Sequence, residues 1–449
     1  MTDGGRAQRR AGGGFAVFRH RAFLIVWSGA LVSNVGSWME TVGQSWMVQS
    51  QTHSPFLVEV LAASEFVPAA LLLLWAGRLA DTLDRRKLLI AGQAMMMLIA
   101  GLLAVLTHLG LASPWVVITI SFAEGAAWSL VQPAWMTLTP SLVPRDDLPQ
   151  AIALNSAQFN LARLAGPMLA GALLSFSGAA LVFDLNTASF IAIVVALYWV
   201  TLPASRTMPA GERPEAENAR GVGVALNWAR NSSGPRRILL GVCAFTFLSA
   251  PVQGLLTVFA ESELHVGAGG YGILLAALGS GAIVGALALA RIPRGYPRHH
   301  LIPLSMLGFS LAALVHGASS SMILSCAALA VAGVFWVWAL SSSNTAMQLL
   351  VPETLRGRGM SLFSLASLGA LPVGHLLAGA LAHRFGAHAA VLSMTGVLAL
   401  FSLWSVWARV PAIDAMERKI HSEKRSFVAA LWETFRAESH WTDNLPPGS

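Results

Sequence analysis

Long apolar segments recur along almost the whole chain, and they restrict the fold more than any other feature. A helix needs about 20 mostly apolar residues to cross a bilayer. Twelve segments come close to that length, at about 23–48, 55–80, 88–109, 114–139, 150–175, 179–202, 238–260, 271–291, 301–318, 321–348, 359–382 and 388–409. Only 11% of the residues are charged, against roughly a quarter in soluble domains. The sequence therefore predicts an all-α membrane protein with twelve transmembrane helices.

One polar interruption divides these segments into two groups of six. The predicted parts are a cytoplasmic N-terminal tail, a first six-helix bundle, a cytoplasmic central loop, a second six-helix bundle and a C-terminal tail, at 1–22, 23–202, 203–237, 238–409 and 410–449. The stretch GVALNWARNSSGPRR in the central loop predicts a short amphipathic helix. Apolar residues also recur at helical spacing in the C-terminal tail, which predicts an amphipathic helix on the membrane face or on the bundle.

The basic residues are concentrated in the termini and in alternate loops, whereas the opposite loops hold almost none. This bias places both termini in the cytoplasm, with the chain in the cell (inner) membrane. The net charge of +7 thus orients the protein in the bilayer and gives no reason to expect nucleic-acid binding. The cysteines Cys243 and Cys326 lie inside apolar segments, so we expect no disulfide and no metal site. No cofactor motif stands out, which disfavours an enzyme.

The two halves carry an internal repeat. The motif LVP ends at Pro144 and again at Pro352, and this offset of 208 residues also superposes Gly125 on Gly333 and Trp128 on Trp336. We therefore expect two parallel six-helix repeats with a substrate site between them near the middle of the membrane.

Ionisable residues within the spans are confined almost entirely to the first repeat. Glu40, Glu65, Glu124 and Arg163 become Leu, Ile, Ala and Leu at the equivalent positions of the second repeat. Charges inside a span are costly and usually face a cavity or a partner. Two interpretations stay open: a structural Glu–Arg pair that stabilises the first bundle, or an acid that exchanges a proton during transport. The sequence does not say which acid pairs with Arg163.

The polar stretch GRLADTLDRRK, Gly77–Lys87, follows the second apolar segment and should form a short turn at the membrane face. Its pattern resembles the loop between helices two and three of the major facilitator superfamily. The resemblance implies the major facilitator fold and a conformational latch. We expect the latch to join this loop to the cytoplasmic start of helix eleven and to comprise the following residues: Gly77, Asp81, Arg85, Arg86 and Gly359.

The same resemblance implies that helices one, four, seven and ten line the substrate cavity. Each of these four segments has a polar or aromatic stripe at helical spacing. Such stripes are also typical of hydrogen-bonded seams between helices. The predicted cavity residues are Ser37, Trp38, Gln44, Trp128, Gln132, Gln253, Trp336 and Ser342. We expect Trp128 and Trp336 to face each other and to favour an aryl-bearing substrate.

Helix five contains RLAGPMLAG, in which Gly166, Pro167 and Gly171 form a helix-packing motif. It resembles a Gly-Pro motif of export antiporters, although a plain packing ridge fits it equally well. Three stretches taken together resemble the transmembrane secretion effector branch, which includes the enterobactin exporter: SNVGSWMETVGQSWMV in helix one, the loop at 77–87, and PAWMTLTPSLVPRDDLPQAIALNSAQFNLARLAGP.

That resemblance implies proton-coupled export of a small amphipathic or aromatic molecule, a siderophore or a drug, by alternating access. The expected partners are this small-molecule substrate, protons and the lipid bilayer, for a protein that acts as a monomer. The alternative is a facilitator or importer of a small nutrient on the same fold.

Overall fold

The computed structural model describes residues 16–82, 84–200, 215–292, 298–352 and 355–407. Within these ranges the chain is helical and has no β-strand. The first half contains α1 (Arg21–Thr52), α2 (Pro55–Thr82), α3 (Arg85–His108), α4 (Pro114–Leu142), α5 (Leu148–Ser177) and α6 (Ala179–Trp199). The second half contains α7 (Glu215–Asn231), α8 (Ser233–Gly254), α9 (Leu256–Val258), α10 (Gly267–Leu289), α11 (Arg298–Gly317), α12 (Met322–Leu350), α13 (Arg356–Leu368), α14 (Ala370–Phe385) and α15 (Ala387–Trp407).

The membrane-spanning character follows from the length and composition of these helices. Eleven helical stretches in the described part of the chain are long and apolar enough to cross a membrane. Helix α2 lies where the sequence predicts the second span and is not one of the eleven, so the count of twelve stays a prediction. Two spans are interrupted: α8, α9 and a π-helical turn (Phe259–Glu263) follow one another, and α13 continues into α14.

The predicted turn at Gly77–Lys87 is wrong in its extent, because most of this stretch is helical. Helix α2 continues to Thr82 and α3 already begins at Arg85. Asp84 ends the break, since its carboxylate accepts a 2.9 Å hydrogen bond from the backbone N–H of Lys87 and so caps α3. A charged stretch can stay helical at a membrane surface because its side chains reach water.

The structure describes only some of the predicted latch residues. The side chains of Gly77, Asp81 and Arg85 lie outside the described residues. Arg86 donates from Nε to the Leu197 carbonyl at 3.0 Å, and from its guanidinium to that of Tyr198. This contact ties α3 to the last carbonyls of α6 within the first half. Helix eleven starts earlier than predicted, at Arg356, so Gly359 lies inside α13. The latch remains a prediction.

Equivalent helix pairs of the two repeats pack in the same way, through glycines. In the first half, Gly125 of α4 lies against the backbone of Glu65 in α2, so closely that an added Cβ would overlap the Glu65 carbonyl oxygen. In the second half, Gly333 of α12 lies in the same manner against Leu278 of α10. Small residues allow helices to approach closely where there is no hydrophobic drive between them. The repeat inferred from the sequence is therefore also visible in the packing.

Two segments outside the bundles were predicted to be amphipathic helices. The central loop contains one, α7, which buries Ala225 and Ala229 and packs on α8 and α13. The C-terminal tail lies outside the described residues. At the other end of the chain, Asp147 accepts hydrogen bonds from His20 at 2.7 Å and Arg19 at 2.8 Å. These bonds, that of His20 first, hold the pKa of Asp147 below its ordinary value.

The two halves pack against each other near the helix ends that adjoin the short connections at 53–54, 178 and 264–266. Helix α5 packs on α10, α2 on α14, and α1 on α9. Gln49 donates a 2.7 Å hydrogen bond to Glu261, and His53 lies 3.3 Å from the same carboxylate. These ends, which we name the closed face, are the ones that the sequence predicts to be extracellular.

Candidate functional site

Two carboxyl groups meet inside the first half, where α1, α4 and α6 converge. Gln44 donates through Nε2 to Glu124 at 3.0 Å and to Glu40 at 3.3 Å, while Asn186 donates to the other oxygen of Glu40. Gln44 thus bridges the carboxyl groups of Glu40 and Glu124 in the interior of the first half. We name this group the carboxyl cluster.

A glycine makes the cluster possible. A Cβ at Gly36 of α1 would lie 2.6 Å from Asn186 Oδ1 and 2.8 Å from Ser189 Cβ, so only glycine allows α6 to approach α1 here. Asn186 is completely buried as a result, and Glu40 almost completely. Burial strengthens each hydrogen bond and also penalises any polar group that loses its partner.

Glu65 extends the acidic region toward α2. Its side chain is exposed, and it interacts electrostatically with Glu124. The contact at Gly125, the neighbour of Glu124, holds the backbones of α2 and α4 together at this level. Three predicted proton-coupling candidates thus lie in one region: Glu40, Glu65 and Glu124.

Arg163, the fourth candidate, has a different environment. Its guanidinium lies 5.6 Å from the centre of the Trp38 ring and 3.4 Å from Gln253 Oε1 in the opposite half. Both distances fit a cation–π contact and a long hydrogen bond. The polar partner of Arg163 is thus the side-chain amide of Gln253 in the second half. These contacts do not include the Glu–Arg pair that the sequence suggested.

The predicted indole walls are only partly as expected. Trp128 of α4 is 41% exposed, and Trp38 of α1 packs edge-on against Phe159 with ring centres 6.0 Å apart. Trp336, however, packs between Phe245 at 5.3 Å and Phe309 at 5.5 Å, in the core of the second half. The expectation that Trp128 and Trp336 face each other as free walls therefore needs correction. A tryptophan among apolar helices gains more from burying its ring than from lining a polar space.

The remaining predicted cavity residues occupy varied environments. Ser37 donates to the Ser33 carbonyl of its own helix at 3.1 Å, and Gln132 is half-buried. Ser342 is buried, and its Oγ has no hydrogen-bond partner within the described ranges. Gln253 is the member of this set that contacts another candidate, Arg163.

The sequence reasoning missed one ionisable pair, Glu59 of α2 and His375 of α14. Their side chains form a hydrogen bond, and both are buried. Each lies inside a predicted apolar span, which was the signal available. Nothing in the sequence links them, because they are 316 positions apart.

The helix-packing motif of α5 contacts two helices. A Cβ at Gly166 would lie 2.5 Å from Trp38 Cβ in α1. On the other side, a Cβ at Gly171 would lie 2.9 Å from the Ala268 carbonyl oxygen, and one at Gly272 would lie 2.5 Å from the carbonyl oxygen of Pro167. The motif therefore brings the first half against α10 of the second half at the closed face.

We expect Gly272→Ala to weaken the closed face and to lower transport several-fold, because its Cβ would collide with the main chain of α5. Gly279→Ala is the matched control on the same helix. Its Cβ would lie 3.6 Å from the Arg163 carbonyl oxygen, an ordinary contact. Transport rates of the two purified variants in liposomes check this, and equal rates would show that the approach of α5 and α10 is not needed.

The fold and the buried acidic region define the class of protein. Two repeats of membrane-spanning helices with buried ionisable groups are the architecture of a secondary transporter. Solved structures agree on the fold. The chain matches a crystal structure of a POT peptide transporter with a TM-score of 0.72 over 88% of this chain and 95% of that one, at 11% identity. It matches the nucleoside transporter NupG with a TM-score of 0.68 over 88% and 99%, at 14% identity.

Sequence comparison assigns the chain to one family among those that share this fold. The family profile described as "Transmembrane secretion effector" matches residues 12–434, and the chain belongs to this family. The chain is 25% identical to the staphyloferrin A transporter of Staphylococcus aureus, over 78% of this chain and 87% of that protein. It is 28% identical to the enterobactin exporter EntS of Citrobacter koseri, over 81% and 85%. It is 24% identical to the multidrug efflux pump Tap of Mycobacterium tuberculosis, over 89% and 95%. It is thus a multi-pass membrane transporter of the major facilitator type.

Proposed function

We propose that this protein exports a small amphipathic, aryl-bearing molecule in exchange for protons. The observation that carries the proposal is the carboxyl cluster, in which Gln44 donates hydrogen bonds to both Glu40 and Glu124 inside a largely apolar bundle. An ionisable group inside a membrane is costly, about 2.5–3.5 kcal/mol on insertion scales, and usually serves a function. The similarity to the enterobactin exporter EntS and to the multidrug efflux pump Tap supports export as the direction.

Proton exchange fits the geometry of the cluster. Gln44 can donate to either carboxyl group, so the cluster keeps its hydrogen bonds whichever acid holds the proton. Glu65 is exposed and interacts with Glu124, which offers a route between the cluster and water. Substrate and proton would then compete for one acidic region, as antiport requires.

The substrate class follows from the aromatic residues next to the acids. Trp128 is exposed one helical turn from Glu124, and Trp38 lies against the guanidinium of Arg163. An aryl ring can stack on an indole, while Arg163 favours an anionic group and Glu65 a cationic one. Siderophores and drugs with aromatic rings share this chemistry.

The arrangement in the membrane is also part of the proposal. The distribution of Lys and Arg supports cytoplasmic termini and a place in the cell (inner) membrane. In that orientation the closed face is extracellular. We further propose that one chain is the working unit, because both repeats that form the site belong to the same chain.

Transport by purified protein in liposomes tests this function. A pH gradient should drive accumulation of at least one compound from a panel of catecholate and carboxylate siderophores and cationic aromatic drugs, in the direction opposite to the proton flow. Protein-free liposomes and a protonophore are the controls. Accumulation in the same direction as the protons would contradict export, and no gradient-driven movement of any panel compound would contradict proton-coupled antiport of this class.

We expect Trp128→Ala to weaken binding of an aryl substrate. Aromatic stacking contributes about 0.5–1.5 kcal/mol beyond the area buried, which corresponds to about a two- to twelve-fold change in Kd. Trp404→Ala on α15 is the control, since Trp404 is also largely exposed but lies outside the predicted cavity helices. Titration of both variants with the substrate found above checks this, and equal affinities would exclude Trp128 from the binding site.

A further inference from the structure

Glu59 and His375 form a buried contact between the two halves of the protein. Glu59 Oε2 is hydrogen-bonded to His375 Nδ1, and the relative exposures of the two residues are 0% and 5%. Glu59 belongs to α2 and His375 to α14, so the contact exists only while the halves are together at this level. None of the predicted coupling residues takes part in it.

The second half provides a space shaped for the Glu59 side chain. A Cβ at Gly254 of α8 would overlap the carboxylate oxygens of Glu59 and would lie 2.6 Å from its Cδ. A Cβ at Gly379 of α14 would lie 2.8 Å from Glu59 Cβ. Two glycines and one histidine of the second half thus form a seat for a carboxyl group of the first half.

The closed seat favours one added proton on the pair. A neutral imidazole can donate from Nδ1–H to an ionised carboxylate, so the hydrogen bond itself needs no added proton, but it leaves a net charge of −1 in the seat. Glu59 Oε1 is buried and has no hydrogen-bond partner in the described part of the chain. An added proton makes the pair neutral overall, whereas a buried carboxylate with one unpaired oxygen is strongly unfavourable.

Glu65 gives this proton an exit. It lies on the same helix as Glu59, its side chain is exposed, and it interacts electrostatically with His375. Phe66, the next residue, stacks parallel on the imidazole with ring centres 6.3 Å apart. The ring is therefore hydrogen-bonded to the buried Glu59 and within electrostatic reach of the exposed Glu65.

Within the described part of the chain, several other titratable groups lie near Glu59 and His375. Tyr271 of α10 is buried and interacts electrostatically with both Glu59 and Glu65. Glu124 of α4 interacts with Glu65. Farther along the closed face, His53 of α1 lies 3.3 Å from Glu261 and is the second histidine that bridges the halves. Any pH-dependent opening must therefore be separated from titration of His53.

We propose that Glu59 and His375 form a proton-carrying clasp, which takes up a proton when the closed face forms and delivers it to Glu65. This inference rests on the proposed function in that it requires a proton to be exchanged during transport. It places a second proton site at the closed face, in addition to the carboxyl cluster inside the first half.

The proton balance of the clasp is one per cycle. With the halves apart, both side chains face water, where at neutral pH a glutamate is ionised and a histidine is mostly neutral. Closure takes one proton from the outer water onto the Glu59–His375 pair, which then carries no net charge. His375 then passes a proton to the Glu65 carboxylate, and Glu65 releases it to water on the other side. The clasp is left as a buried carboxylate beside a neutral ring, which favours reopening.

Distance measurements on the full-length protein in liposomes test the clasp. Spin labels attached after Ser113→Cys and Ser320→Cys, at two positions exposed on the closed face, report the separation of the halves. The native Cys243 and Cys326 are replaced by alanine, and His53→Gln is included to remove the second bridging histidine. We expect the short-distance population to fall as the pH rises from about 6 to about 8, the range in which histidine loses its proton. A further His375→Gln change should abolish this dependence.

His388→Gln is the matched control for the same measurement. His388 lies 2.9 Å from Glu263, so this Glu–His pair belongs to the second half alone. The clasp is contradicted if the pH dependence survives His375→Gln, is already lost with His53→Gln, or is lost equally with His388→Gln. Glu59→Gln is a second variant, and it should also make the distances independent of pH.

Transport separates failure of the clasp from failure of the proposed function. In the unaltered protein, a pH gradient should drive transport. Glu59→Gln and His375→Gln should each reduce this transport to the rate seen without a gradient. Gradient-driven transport that persists in both variants would overturn the clasp but leave proton-coupled export intact. Absence of gradient-driven transport in the unaltered protein would instead overturn the proposed function.

Discussion

Replacing Glu124 by glutamine should abolish pH-gradient-driven transport while the protein still folds and binds its substrate. The side chain of glutamine has almost the same shape as a protonated glutamate. Its carbonyl can accept the hydrogen bond from Gln44, so the cluster keeps this contact. What the variant loses is the ability to release a proton. Transport should therefore fall to the rate measured without a gradient.

Glu40→Gln is a less selective change. Both Asn186 and Gln44 donate to the Glu40 carboxylate, so the NH2 group of a glutamine in that place would face at least one other hydrogen-bond donor.

Asp184→Asn is the matched control for Glu124→Gln, because Asp184 is another acid of the first half, and it pairs with His108 at 2.9 Å. Full gradient dependence in Glu124→Gln would place the coupling proton elsewhere.

We expect a large effect on folding from Gly333→Ala. A Cβ at this position would overlap the Leu278 carbonyl oxygen and would lie 2.8 Å from the backbone nitrogen of Ala282, both in α10. Main-chain atoms of a packed helix cannot move aside as the end of a side chain can. Overpacking of this kind costs about 1–3 kcal/mol and occasionally more. The variant should unfold at a lower temperature and transport poorly.

Gly396→Ala on α15 is the matched control for folding, since nothing lies within 4 Å of its Cβ position. There the gain in helix propensity, about 1 kcal/mol, should leave stability unchanged or raise it. Thermal unfolding of both variants in the same detergent checks this pair. An unchanged midpoint for Gly333→Ala would contradict the close packing of α10 and α12.

Much of the fold could be predicted because it is encoded locally or by repetition. Apolar segments mark the spans, and the offset of 208 residues relates Gly125 to Gly333, which pack in equivalent ways. The acidic region could be predicted for the same reason: Glu40, Glu65 and Glu124 stand out as charges inside apolar segments.

The partners of these residues could not be predicted, because they depend on how the helices rotate and approach. Arg163 contacts Gln253 of the other half, and Trp336 turns into its own bundle. Glu59 and His375 meet across 316 positions through a seat formed by two glycines. Helix ends near Asp81 and Gly359 were misplaced because charged residues at a membrane surface are compatible with both helix and loop.

Proton movement caused by the substrate tests proton-coupled export most directly. Liposomes containing the purified protein and a pH-sensitive dye are given an outward substrate gradient with no pH gradient. Because coupling is reciprocal, substrate leaving the liposomes should carry protons inward and acidify the interior, and Glu124→Gln should abolish the signal while substrate binding remains. Substrate movement without any change in internal pH in the unaltered protein would contradict proton coupling.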